Sequence, residues 1–207
     1  MNLYVFGSFC RGEIDQFSDI DLLIIKNRNE DSTLYDLEKY SIYKKERIED
    51  LWNEGNPFAW HLYKESKLIF SNEKINFLKQ LGKPNDYFNM ENDLRKFHKL
   101  FEDSYRSCLN SNDSLDFDFS MIFLAIRNFA TCFSLGHLKQ YNFSRNSSLN
   151  LDNYSIKISD DCYTILKNSR ILSTRGIGNN LTELEHNKVL NEINKISNWF
   201  ESINKII

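Results

Sequence analysis

Gly7-Ser8-Phe9-Cys10-Arg11-Gly12-Glu13-Ile14-Asp15-Gln16-Phe17-Ser18-Asp19-Ile20-Asp21-Leu22 is the stretch whose reading decides the rest of the chain. It follows Leu3-Tyr4-Val5-Phe6, a β-branched and aromatic run that predicts a buried strand ending at Gly7. It leads into Asp21-Leu22-Leu23-Ile24-Ile25, a second predicted strand. Asp19 and Asp21 stand two residues apart at the mouth of that strand, so both carboxylates project from one face. Like charges so close repel unless a cation lies between them, and hard oxygen ligands suit Mg²⁺ beside a substrate phosphate. The bland alternative is a solvated strand end. Upstream, Gly7-Ser8 makes a small turn whose N–H groups and hydroxyl can face phosphate oxygens, although a turn hydroxyl can also bond its own backbone. Arg11 offers a guanidinium nearby, and Gly12 lets the chain swing away. Together these parts describe a triphosphate held against a divalent metal, a site for hydroxyl attack on phosphorus.

Further along, strand and helix signals alternate to about residue 70. Tyr40-Ser41-Ile42-Tyr43 predicts a third strand, Lys45 to Glu54 a helix closed by Gly55, and Pro57 to Lys64 a helix with proline in its first turn. Lys67-Leu68-Ile69-Phe70 predicts a fourth strand. Beyond Ser71 the period turns helical. Helices are expected over Asp86–Leu109, with Phe88, Leu94, Phe97 and Phe101 on its apolar stripe, and over Asp116–Leu138, Ser159–Ile171 and Thr182–Ile206. The last opens on a Thr182…Glu185 capping box. Gln140 to Lys157 is Asn- and Ser-rich and is expected to be loop. The turn-like Gly82-Lys83-Pro84-Asn85 divides the chain into a small domain at 1–82 and a helical bundle at 86–207, an α+β chain with a mixed sheet.

Composition narrows the function. With 207 residues, 41% hydrophobic, and only 7 Gly and 2 Pro, the chain can bury a core and is not low-complexity. A net charge of −3 argues against a nucleic-acid partner for the chain as a whole. Four scattered cysteines without a CxxC point to reduced thiols rather than zinc or a disulfide framework. The apolar stretch from Met121 to Leu138 is interrupted by Arg127 and Asn128, so no membrane span and a cytoplasmic location are expected.

The pattern Gly-Ser, ten residues, Asp-x-Asp resembles the signature of the minimal nucleotidyltransferases in the DNA-polymerase-β-like superfamily. Arg11-Gly12 and Ser18 agree with it, and Trp60-His61-Leu62…Glu65…Leu68-Ile69-Phe70 adds weaker agreement. The resemblance implies a mixed sheet with flanking helices. It also implies transfer of a nucleoside monophosphate, here AMP from ATP, to a hydroxyl acceptor. Relatives modify proteins, including the toxins of toxin–antitoxin pairs, as well as aminoglycosides and nucleic-acid ends, and a protein acceptor is slightly favoured. By resemblance Gly7 and Ser8 touch the triphosphate, Asp19 and Asp21 bind Mg²⁺, and Arg11 is a looser phosphate neighbour.

Two features depart from that pattern. The superfamily carries a third carboxylate on a neighbouring strand, and Tyr40–Tyr43 has none; Glu38, Glu46 and Glu65 lie nearby, with Glu46 the first candidate. The helix that commonly precedes the first strand is missing, so the C-terminal bundle or a second copy of the chain would have to cover that flank. A nucleotide-sensing protein that has lost turnover is therefore the rival reading.

The bundle resembles the HEPN helical domains that accompany such enzymes. However, no His follows Arg127 within six residues, so the ribonuclease pattern of HEPN is not met. Arg127 is expected to pair with an internal acid or to face an anion. Arg145 and Arg175 are read as loop arginines, and His61 as a core or interface histidine beside the site.

Overall fold

The computed structural model describes residues 1–14, 20–27, 36 and 39–207. These divide into two compact units, Met1–Asn89 with Lys139–Ser144, and Met90–Leu138 with Arg145–Ile207. The expected α+β class holds: a mixed four-stranded sheet with helices, then helices alone.

In the first unit, β1 (Asn2–Phe6), β2 (Asp21–Lys26), β3 (Tyr40–Lys44) and β4 (Ser66–Ser71) lie in the order β3-β2-β1-β4. β1 runs antiparallel to β2 and β4, and β2 parallel to β3. Because side chains alternate across a strand, Tyr4 and Phe6 share one face with Leu23 and Ile25. On that face pack α2 (Lys45–Asn53) and α3 (Pro57–Glu65), which contribute Ile48, Leu51, Trp52, Ala59 and Leu62 to the core. α3 begins where Asn56 accepts a hydrogen bond from the Phe58 N–H at 2.9 Å, with Pro57 supplying a preset φ and no surplus donor.

A short helix not foreseen, α4 (Phe77–Leu81), is fastened by a buried phenol. Tyr4 Oη donates to Asn76 Oδ1 at 3.0 Å and accepts from the Leu78 N–H at 3.1 Å. Tyr4→Phe leaves a buried N–H without its acceptor and is expected to cost about 1–3 kcal/mol, read by chemical denaturation. The tetrad 82–85 is stitched to the end of α2: Trp52 Nε1 donates to Gly82 O at 3.0 Å, and the Asn85 N–H to Trp52 O at 3.0 Å. The first unit continues past it to Asn89. It also holds the strap 139–144, whose Tyr141 stacks on Trp60 (5.2 Å) and whose Phe143 stacks on His61 (4.9 Å).

The second unit is built around α6 (Leu115–Phe133), which continues as a π-turn over Ser134–Leu138. By length and composition Leu115–Leu138 could cross a membrane, but 67% of its apolar window is buried within the protein, as a core helix should be. α5 (Met90–Asn110) and α7 (Asp160–Arg175) pack on it, and α8 (Glu183–Asn204) joins them through the ring cluster of Phe101, Phe129, Trp199 and Phe200. Phe129→Ala would open a cavity in that cluster and is expected to cost about 3–5 kcal/mol by denaturant titration.

Thr182 and Glu185 form the expected capping box. Two local expectations fail. Phe88 precedes α5 and is exposed, because the helix starts only at Met90. Arg175 is no loop residue but the last residue of α7, which ends where Gly176 turns left-handed at φ 64°. The four cysteines are free thiols. Burial pushes Cys108 and Cys162 up to about 12, with Asp118 and Glu192 adding to it respectively, so both stay protonated and inert.

Candidate nucleotide-binding site

The site forms where β1 ends. The last β1 residue, Phe6, pairs with Asp21 on one side and Ser66 on the other. Asp21 therefore emerges at the tip of the apolar face, beyond Leu23 and Ile25, with its backbone fixed by the sheet. Gly7 then takes φ 75° and ψ −142°, a conformation that L side chains rarely adopt. A Cβ there would lie 2.5 Å from Asp21 Oδ2, so the carboxylate occupies the space that only glycine leaves. The next residues coil into α1 (Ser8–Arg11), a single turn ended by Gly12 at φ 74°. Ser8 is half-buried, and among the described residues its hydroxyl makes no hydrogen bond, which leaves it available to a ligand.

On the other side of Gly7 lies a charged cluster that sequence reasoning left unassembled. The Gly7 N–H donates to Glu65 O at 3.2 Å, and the Glu65 carboxylate receives Arg11 Nη1. Arg11 Nε donates to Glu13 at 2.8 Å. His61, one turn earlier in α3, places Nε2 3.0 Å from the same Glu65 oxygen, a close approach outside hydrogen-bond alignment. The His61 ring is boxed in by Phe6 (5.6 Å) and Phe143 (4.9 Å).

Arg11, His61 and Glu65 are largely enclosed, with side-chain exposures of 17%, 13% and 12%. Burial alone would raise the Glu65 carboxyl, but His61 and then Arg11 outweigh it and hold the group below the usual carboxylate range. A folded-state value below the unfolded one stabilises the protein above the unfolded value, about 4.3, and that contribution is lost as pH falls through the folded value. Carbon-detected NMR titration of Glu65 is expected to show a midpoint below that of a free glutamate.

Asp19 and Glu38 lie outside the described residues. Glu46 does not reach the site. It opens α2 just past Lys44, which pairs with Lys26 at the far end of β2, about 17 Å of strand from Asp21. β3 itself carries no carboxylate. Among the described residues no three acidic, His or Cys side chains cluster as a metal site. The donor chemistry that fits Mg²⁺ is Asp21 at its glycine-cleared position, together with Asp19 two residues before it in sequence. Arg127, Arg145 and Arg175 all belong to the second unit, where Ser147 Oγ donates to Arg127 O (3.1 Å) and Tyr163 Oη to Arg145 O (3.0 Å).

A known family matches the first third of the chain. The family described as polymerase beta, nucleotidyltransferase, matches residues 1–75. No curated protein sequence matches the chain. Among solved structures, the spectinomycin adenyltransferase AAD(9) from Enterococcus faecialis, determined with ATP and spectinomycin, aligns over 97% of this chain and 91% of its own. That alignment has 12% identity and a TM-score of 0.49. Residues 1–75 form a polymerase-β-like nucleotidyltransferase domain, and a helical region follows it.

Proposed function

We propose that the chain is an Mg²⁺-dependent nucleotidyltransferase that moves a nucleoside monophosphate, AMP from ATP, to a hydroxyl of a protein or small-molecule acceptor. The observation that supports this reading best is the Asp21 carboxylate packed into the space left by Gly7, inside a domain of this family. Gly7 and Ser8 seat the phosphate tail: Gly7 lets the backbone turn sharply, and Ser8 brings a hydroxyl that makes no hydrogen bond among the described residues. Asp19 and Asp21 would hold the metal, which when bound neutralises phosphate charge and polarises the reacting phosphorus.

Transfer forms a bond from the acceptor oxygen to the α-phosphorus as the bond to pyrophosphate breaks, and the hydroxyl gives up its proton. No carboxylate on β3 stands ready for that proton. This one observation favours the second reading, a nucleotide-binding protein with impaired turnover. A cytoplasmic location and a protein partner of the toxin–antitoxin kind belong to the same proposal.

One assay separates the readings. The protein is incubated with labelled ATP, Mg²⁺, and protein and aminoglycoside acceptors, beside an Asp19→Ala/Asp21→Ala variant. Pyrophosphate release and acceptor labelling by the wild type alone support the transferase. Nucleotide binding without release supports the sensor.

A further inference from the structure

We infer that Glu65 is a positioning residue for the nucleotide-binding turn, and that Arg11 acts through it as an internal clamp rather than as a ligand to phosphate. The inference deepens the nucleotidyltransferase reading and rests on it. Glu65 grips both ends of α1: its backbone carbonyl takes the Gly7 N–H at 3.2 Å, and its carboxylate takes the Arg11 guanidinium. Two more bonds close the turn on itself, Gly12 N–H to Phe9 O at 3.2 Å and Glu13 N–H to Ser8 O at 3.0 Å. One residue at the end of α3 thus fixes where the turn begins and where it ends. The grip is itself set, because Glu65 sits against His61 at 3.0 Å and β4 starts at the next residue.

The charges argue against Arg11 as a phosphate ligand. Its guanidinium already meets two carboxylates, Glu13 and Glu65, so its positive charge is compensated where it stands. A guanidinium so compensated exerts little pull on a polyphosphate. Two bonds to carboxylates, one of them the enclosed Glu65, also cost Arg11 the freedom to swing toward a ligand. What the cluster does is hold Gly7 and Ser8 still, and a turn aligned before binding loses less on binding.

The two roles predict opposite signs. Binding of Mg²⁺ with a non-hydrolysable ATP analogue is measured by calorimetry on the full chain, after circular dichroism shows each variant folded at the assay temperature. If Glu65 positions the turn, Glu65→Gln and Arg11→Ala each weaken binding about tenfold, and the double variant is no weaker than the worse single one. Arg11→Lys, which keeps the charge but loses the fork, weakens binding as much as Arg11→Ala. If Glu65 only competes for a phosphate-binding Arg11, Glu65→Gln tightens binding and Arg11→Lys retains it; either result overturns the proposal. Unchanged binding in Glu65→Gln overturns it too, as a merely structural role. Should Glu65→Gln not fold, the Arg11→Lys and Arg11→Ala pair decides alone. A wild type that fails to bind the analogue overturns the nucleotidyltransferase reading, and the clamp with it, and is told apart because no variant is then needed.

Discussion

Asp21→Asn is expected to lower nucleotidyl transfer by about a thousandfold, roughly 4 kcal/mol of barrier, while the protein melts close to the wild-type temperature. The substitution keeps the size, removes the negative charge and turns one acceptor oxygen into a donor nitrogen. Asp21 sits at the tip of the sheet face, past the last core residues of β2, so the substitution opens no cavity in the core. A charge placed to hold a cation against phosphate, by contrast, is worth most where charge develops during reaction. Steady-state pyrophosphate release and a thermal melt together check this. A variant with wild-type turnover would remove Asp21 from the mechanism.

Gly7→Ala is the second large effect, and it should damage both stability and activity. The backbone there has φ 75° and ψ −142°, and forcing a side chain into such a region costs about 1–3 kcal/mol. The new methyl would also lie 2.5 Å from Asp21 Oδ2, so either the turn or the carboxylate must move. A displacement of about 1 Å at a reacting centre costs on the order of 100-fold in rate. Gly12→Ala is the control. It has a similar φ of 74°, but among the described residues no atom beyond its chain neighbours lies within 4 Å of the added Cβ. It should therefore pay the left-handed strain of about 1–2 kcal/mol and keep its activity once folded. Melting temperature and turnover measured side by side distinguish clash from strain.

The sheet was legible because each strand is a compact apolar run, and the Asp21 end of β2 was legible as the place where that run meets carboxylates. The helices of the second unit were legible in outline because their apolar positions repeat every three or four residues. What escaped was short or long-range. α1 and α4 span four and five residues, too few to show a period, and α1 owes its place to the φ of Gly7.

The end of α7 was missed because Ser173-Thr174-Arg175-Gly176 reads as polar loop, whereas the glycine is its cap. Arg11 and Glu65 are 54 residues apart, and no local pattern links them. A partial signal did exist: His61 and Glu65 stand four apart on one helix, the spacing at which side chains meet. Tyr141 and Phe143, two aromatics in an otherwise polar loop, were a comparable hint that the strap is packed.

Calorimetric titration of the wild type and of Asp19→Ala/Asp21→Ala with a non-hydrolysable ATP analogue, each with Mg²⁺ and again with EDTA, tests the central claim most directly. The account predicts binding by the wild type that falls sharply when the metal is chelated, and equally weak binding by the double variant under both conditions. Tight binding that ignores both the metal and the two aspartates would contradict it.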